Sequence, residues 1–112
     1  MNDGADNWTS EGVDRGLSTG AQSWCADFGD LDNDGDMDVF VANHDELSDV
    51  YLNDGSGFFT EVSTSTGIEA GVQFTPIQSS WVDFDNDGFV DLIVTGIPGQ
   101  HIIAMNNGDG TF

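Results

Sequence analysis

The chain has 112 residues, of which 21 are Asp or Glu and one is Lys or Arg, so its formal net charge is −20. This excess of acid excludes nucleic-acid binding by phosphate neutralisation and makes docking on an anionic membrane unfavourable. The hydrophobic fraction of 38% and the aromatic fraction of 11% are enough to build a core, which excludes an acidic disordered tail and predicts one small domain or a part of a larger one.

The single cysteine, Cys25, excludes an internal disulfide framework and is expected to pack as a small apolar residue in a strand. No apolar run approaches the roughly 18 residues that a membrane-spanning helix needs, so no membrane insertion is expected. The sequence shows no signal peptide, although one could have been lost with a missing part of the chain.

Residues 1–22 come before the first complete unit of the chain. Asn2-Asp3-Gly4 is a turn signal, so residues 1–9 are expected to form a hairpin turn that enters a strand. Residues 10–22 are rich in Ser, Thr, Gly and Asp and predict a surface connection. We interpret 1–22 as the fourth strand of a preceding unit plus its connection.

Residues 23–63 predict a complete unit of four strands. Apolar and β-branched residues occupy segments that turn signals separate, and Val50 and Leu52 alternate onto one face. The expected strands are 23–29, 37–43, 49–53 and 58–63.

Residues 64–112 predict a second unit whose last strand is incomplete. A loop through Gly67 and Gly71 leads to expected strands at 77–82, 89–96 and 101–106, and a fourth strand barely starts at 111–112. With a repeat of about 50 residues and almost no helical period, the chain predicts an all-β fold. Its antiparallel four-stranded sheets are typical of β-propeller blades, about two blades per chain.

Both units carry the pattern D-x-D-N-D-G-x-x-D, at residues 30–38 and again at 83–91, where each aspartate lies 83 − 30 = 53 positions after its counterpart. Calcium prefers six to eight oxygen ligands, and carboxylates at positions 1, 3 and 5 of a curled loop can converge on one ion. Position 7 offers its carbonyl, and position 9 adds a carboxylate. The predicted ligands of two calcium ions per chain are Asp30, Asp32, Asp34, Asp36 and Asp38 in the first loop and Asp83, Asp85, Asp87, Phe89 and Asp91 in the second.

Two alternatives to this calcium loop fit the sequence less well. An EF-hand needs a bidentate Glu at position 12, but Val41 and Val94 occupy that position and strand-like segments follow. Ordinary Asx turns would explain one cluster, but they explain poorly why two clusters match. Two ions would change the net charge from −20 to −16, so folding is expected to depend on the metal, with an extracellular affinity of about 0.1–1 mM.

Residues 26–43 and 51–59, which contain the first metal loop and the turn Asn53-Asp54-Gly55, resemble the FG-GAP/VCBS repeats of the integrin α-subunit propeller. The resemblance implies calcium-stapled blades, usually about seven in a ring and outside the cell, with the ligands named above. The Gly-Ala-Pro element of the family is not evident, and the chain holds only two blades.

The expected function is that of a calcium-dependent scaffold or extracellular recognition or adhesion module. The alternative is a lectin-like propeller that binds a glycan on Trp24, Trp81 or Tyr51, and a weaker one is a non-catalytic fragment of a larger secreted enzyme. His44 and His101 are the candidate bases, but no nucleophile motif, zinc spacing or phosphate loop accompanies them, so we expect no enzyme.

Two blades alone would leave two apolar faces open, which soluble monomers rarely tolerate. The sequence therefore predicts a head-to-tail ring of copies, each completed by strand addition from the next. A trimer with six blades is favoured, and a tetramer with eight is possible.

Overall fold

The computed structural model describes residues 1–18 and 20–112, so Thr19 of the predicted connection lies outside the described residues. Two antiparallel sheets follow one another along the chain, which confirms the all-β prediction. Sheet 1 has the order β1-β2-β3-β4 and consists of Ser23–Gly29, Asp38–Asn43, Asp49–Asn53 and Phe59–Glu61. Sheet 2 has the order β5-β6-β7 and consists of Thr75–Val82, Asp91–Ile97 and His101–Ala104.

Two one-turn helices, α1 (Ser63–Thr66) and α2 (Ile68–Gly71), lie where the sequence predicted a loop. The Ser63 hydroxyl accepts a 2.7 Å hydrogen bond from the amide of Val50, so α1 is held against β3. Gly67 adopts a φ of 80° between the helices, a conformation that glycine takes without a Cβ clash. Each helix is too short to show a helical period in the sequence. None of the described helices has the length and apolar character needed to cross a membrane.

Residues 1–9 form the predicted hairpin turn, with a single bridge between Asn2 and Trp8, but the strand expected within 1–22 does not form among the described residues before Ser23. Beyond this bridge, the amide of Thr9 donates to the carbonyl of Met1 over 2.9 Å. The division of the chain at residues 22 and 63 into successive units stays a prediction.

Each sheet has two faces, which we name by the way the sheets stack. The front face of sheet 1 packs on the back face of sheet 2 and forms the main core. The front face of sheet 1 contributes Cys25, Phe40, Ala42, Val50 and Leu52, and the back face of sheet 2 contributes Trp81, Leu92, Val94, Ile102 and Ala104. Cys25 thus lies at the core, half-buried, as expected for a small apolar strand residue.

The back face of sheet 1 has its own apolar cluster, in which Val39, Val41 and Tyr51 are buried beneath Leu17 and Phe59. The segment that carries Leu17 is fixed by the amide of Phe59, which donates to the carbonyl of Arg15 over 2.8 Å. Sheet 2 has the same arrangement, because the amide of Phe112 donates to the carbonyl of Thr66 at 2.8 Å, just before Ile68. The repeat therefore includes the segment that precedes each sheet.

Hydrogen bonds between the two sheets fix the stacking. The side-chain amide of Asn106 donates to the carbonyl of Leu31 over 2.9 Å, and the indole of Trp81 donates to the carbonyl of Asp27 over 3.2 Å. The side-chain amide of Asn33 donates to the carbonyl of Gly88 over 2.9 Å and so joins the two acidic loops. The two sheets are therefore held in one register by polar contacts as well as by apolar packing.

Trp81 packs directly on the backbone of Gly29, where a Cβ atom would lie 2.5 Å from the indole Cγ. We expect Gly29→Ala to reduce the free energy of unfolding by about 1–3 kcal/mol, because the ring must shift within a packed core. Urea unfolding followed by far-UV circular dichroism would measure it. The matched control is Val82→Ala at the equivalent position of sheet 2. Because Val82 is exposed, this substitution should reduce the free energy of unfolding by about 0.5 kcal/mol or less. Equal costs at the two positions would contradict the close packing at Gly29.

Tyr51 is the one tyrosine in the sequence, so its phenol can be followed alone by absorbance near 295 nm. Burial, followed by the Asp49 and Glu61 carboxylates, raises the pKa of Tyr51 to about 12. Because the folded pKa is raised, the stabilisation that the neutral phenol provides is complete below about pH 10 and is lost between about pH 10 and 12. We expect the native absorbance midpoint near pH 12 and a midpoint near 10 in urea. A native midpoint near 10 would contradict the burial of this phenol.

Candidate metal centre

Each acidic loop connects the first two strands of its sheet and brings three carboxylates together. In the first loop, oxygens of Asp30, Asp32 and Asp38 all lie within 4.8 Å of one another. In the second loop, Asp83, Asp85 and Asp91 form the same group within the same limit. The positions are 1, 3 and 9 of the predicted calcium loop in both copies.

The loops curl because their own carboxylates accept hydrogen bonds from the backbone. In the first loop the amide of Asp34 donates to Asp32 over 3.2 Å, and the amide of Gly35 donates to Asp30 over 3.1 Å. The second loop repeats both contacts at 3.2 and 3.1 Å, from Asp87 to Asp85 and from Gly88 to Asp83. The loop glycines have φ values of 96° and 95°, which explains why position 6 is glycine in both copies.

The ninth residue of each loop is a buried carboxylate that connects distant parts of the sheet. Asp38 is 1% exposed and accepts the amides of Leu31 at 2.8 Å and of Asn53 at 2.9 Å. Asp91 does the same for Phe84 and Asn106, both at 2.8 Å. These residues therefore have a structural role besides any role as ligands.

The remaining predicted ligands lie outside the two carboxylate triads. A carboxylate oxygen of Asp34 accepts the amide of Asp36 over 2.9 Å, and Asp87 accepts that of Phe89 at the same distance. The Asp36 carboxylate lies against the turn at Gly55, where a Cβ atom would be 2.5 Å from its Oδ2. The Phe89 ring occupies the corresponding place beside Gly108. Both side chains at position 7 are thus directed to the neighbouring turn, which leaves the carbonyl as the predicted ligand.

The electrostatics of the first loop favour a cation. Burial raises the pKa of Asp32, and the nearby Asp34 and Asp30 carboxylates add to the rise. Burial also raises the pKa of Asp38, although hydrogen bonds from Asn53 and Leu31 oppose it. Within the described residues, the buried Oδ1 of Asp30 has no hydrogen-bond partner. A bare oxygen beside mutually repelling carboxylates fits a bound hard cation, because that cation would supply the missing positive charge.

Comparison with known proteins places the chain in a family. A model of the FG-GAP-like repeat matches residues 30–94, which is more than half of the chain. The chain belongs to the FG-GAP-like repeat family. The FG-GAP-like match begins at the first aspartate of the first loop and extends past the second loop. Comparisons with curated proteins and with solved structures found no match.

Two asparagines that support the loops were not predicted as part of the site. Asn106 is not among the predicted ligands, but its side-chain amide donates to the carbonyls of Leu31 and Val90, which lie on two different loops. Asn53 is its counterpart in sheet 1 and donates to the carbonyl of Met37 over 3.2 Å. The sequence signal for both is the recurrence of Asn-x-Gly at the end of the third strand of each unit, a pattern that by itself indicates only a turn.

Substitutions of Asp38 and Asp32, compared in the presence of chelator, test whether the buried carboxylate contributes more to stability than the exposed one. Asp38→Asn should lower the free energy of unfolding by about 1–3 kcal/mol, because its new amide group faces a backbone N–H in a buried place. Asp32→Asn should be neutral or stabilising in chelator, since it removes a repelling charge and its remaining side-chain oxygen can still accept the Asp34 amide. Chemical unfolding of both variants, with and without chelator, measures the four free energies of unfolding. A stabilised Asp38→Asn variant in chelator would contradict the structural role.

Proposed function

We propose that the chain is a calcium-binding repeat module of the β-propeller type that holds two ions, one in each acidic loop. The observation that carries the proposal is the repeated carboxylate triad, with the buried, unpartnered oxygen of Asp30 in the first copy. Calcium suits this donor set because all the donors are hard oxygens and the local charge is uncompensated by any nearby described cation.

In this proposal the triad aspartates hold the ion and the remaining loop atoms complete its shell. The further ligands would be the carboxylates of Asp34 and Asp87 and the carbonyls of Asp36 and Phe89. Bound calcium would supply the positive charge that the loop lacks and would fix the hairpin between the first two strands of each sheet. This chain's own residues already set the curl of the loop through their hydrogen bonds to the backbone.

The two sheets are proposed to be consecutive propeller blades that serve as a scaffold or as an extracellular recognition or adhesion module. Support comes from the front-to-back stacking of two repeated sheets and from membership of the FG-GAP-like family. An affinity in the range of about 0.1–1 mM would match the calcium level outside cells. Because the clustered carboxylates are the proposed calcium ligands, we propose a binding role without catalysis.

Calorimetric titration should give two calcium ions per chain, and the melting temperature should rise in calcium relative to chelator. Asp32→Ala and Asp85→Ala should each remove one ion and reduce the rise, because each deletes a triad member. Asp36→Ala is the matched control, with the same loop and the same loss of charge but a carboxylate directed to Gly55. It should keep both ions.

Two results would contradict the calcium proposal. One is a set of identical melting curves in calcium and in chelator for the unsubstituted chain. The other is an Asp36→Ala variant that loses as much binding as Asp32→Ala, since that would place the site elsewhere on the loop.

The lectin-like alternative depends on Trp24. A β-bulge between Ser23 and Cys25 leaves the Trp24 side chain 46% exposed, stacked on His44 with ring centroids 4.7 Å apart. Trp81 and Tyr51 are packed in the two apolar clusters and offer less surface to a sugar. Calcium-dependent binding on a glycan array that Trp24→Ala abolishes without unfolding the chain would favour this alternative. An array without binders would remove it.

A further inference from the structure

The front face of sheet 2 carries an exposed apolar patch at positions that sheet 1 uses for packing. Each of its side chains lies 53 residues after a residue of the internal interface: Val82 after Gly29, Phe84 after Leu31, Ile103 after Val50 and Met105 after Leu52. The four sheet 2 residues are 40% to 51% exposed, whereas Leu31 and Val50 are at most 1% exposed. The same surface is thus buried in one sheet and open in the other.

The back face of sheet 1 carries an apolar groove of about 270 Å³ that is lined by Leu17, Phe28, Val39, Val41 and Tyr51, with Ser23 and Ala26. In sheet 2, the corresponding places are held by Ile68, Trp81, Leu92, Val94 and Ala104, and all five contact the internal core. That core includes the fully buried Phe40 of sheet 1. The groove on sheet 1 is therefore equivalent to the surface of sheet 2 that packs on a front face, and it is expected to fit a front face as well.

We propose that these two surfaces bind each other between copies, so that the front face of sheet 2 in one copy docks on the back face of sheet 1 in the next. The template is the internal interface, which already joins a front face to a back face of the same repeat. Ile93 lies 53 residues after Phe40 and would take its place in the groove. The contact is head-to-tail, and it closes into a ring when the rotation per copy fits.

Polar groups on the two surfaces extend the match. Within a copy, Asn106 donates to the carbonyl of Leu31 and Asn33 to the carbonyl of Gly88. Between copies, the equivalent donors are Asn53 of one copy, directed at the carbonyl of Phe84 of the other, and Asn86, directed at the carbonyl of Gly35. Both surfaces therefore carry the donors and acceptors that the docked arrangement requires.

The pair at the closest backbone approach differs between the internal interface and the proposed one. Trp81 packs on Gly29 inside a copy, whereas Phe28 would meet Val82 between copies. Phe28 is smaller than Trp81, which leaves room for Val82 in the place of Gly29. Phe28 has no indole N–H, so the hydrogen bond that Trp81 donates to the carbonyl of Asp27 has no counterpart. The contact between copies is therefore weaker than the internal one and reversible. The net charge of each copy opposes it, so salt and calcium strengthen it.

Cysteine cross-linking tests the register of the docking. The Cys25 sulfur lies 3.6 Å from the Ser79 hydroxyl across the internal interface. Gln78 is 53 residues after Cys25 and Ala26 is 53 residues before Ser79, so they face each other only between copies. In a Cys25→Ser background, the Ala26→Cys, Gln78→Cys double variant should give a ladder of multimers under mild oxidation. Each single variant is the control and should give no product beyond a dimer.

Light scattering after size exclusion tests the assembly without cross-links. In calcium and moderate salt, the mass should be a multiple of 11.9 kDa, with three or four copies for a closed ring. Ile103→Glu should convert the chain to a folded monomer, because it places a charge in the docked face. Leu47→Glu is the control of matched exposure, at 49% against 51%, on a loop outside both surfaces, and it should remain assembled.

A folded monomer in calcium at all concentrations, with no ladder from the double cysteine variant, would overturn the proposal. This failure is distinct from a failure of the calcium proposal, which would appear as an unchanged melting temperature in chelator. Circular dichroism of each variant shows whether a loss of assembly comes with retained β structure.

Discussion

Each sheet depends on one buried carboxylate that ties its acidic loop to the end of its third strand. Asp38 and Asp91 each accept two backbone amides, one from the loop and one from the turn after the third strand. A buried charge is costly unless it is satisfied, so these four hydrogen bonds can form only when loop, strand and turn are all in place. The acidic loop is therefore part of the architecture of the sheet as well as a candidate site for an ion.

The two acidic loops are not independent of each other. Asn33 in the first loop donates to the carbonyl of Gly88 in the second, and Asn106 next to the second loop's anchor donates to Leu31 in the first. Any event that orders one loop restricts the other through these contacts. An ion in one site would then favour the loop conformation of the other, which gives a physical route to positive coupling between the two sites.

The sequence predicted the acidic loops and most of the strands, because both depend on local patterns. The bounds of β1 and β3 agree with the predicted 23–29 and 49–53, since turn residues and alternating apolar residues define them. The helices α1 and α2 were not predicted because each is a single turn, and the contacts of Ser63 and Ile68 that hold them in place are not local in sequence. Of the predicted ligands, the structure brings together positions 1, 3 and 9, while the direction of the Asp36 side chain depends on Gly55, nineteen positions further on.

The differences between the repeats explain why the proposed contact between copies would be weaker than the internal one. The internal junction combines Trp81 with Gly29, which buries a large ring against bare backbone and adds an indole hydrogen bond. The corresponding positions hold Phe28 and Val82, which retain apolar surface but cannot make that bond. Because closing the internal junction costs no translational entropy and has the better contacts, folding of one copy precedes any docking of the next.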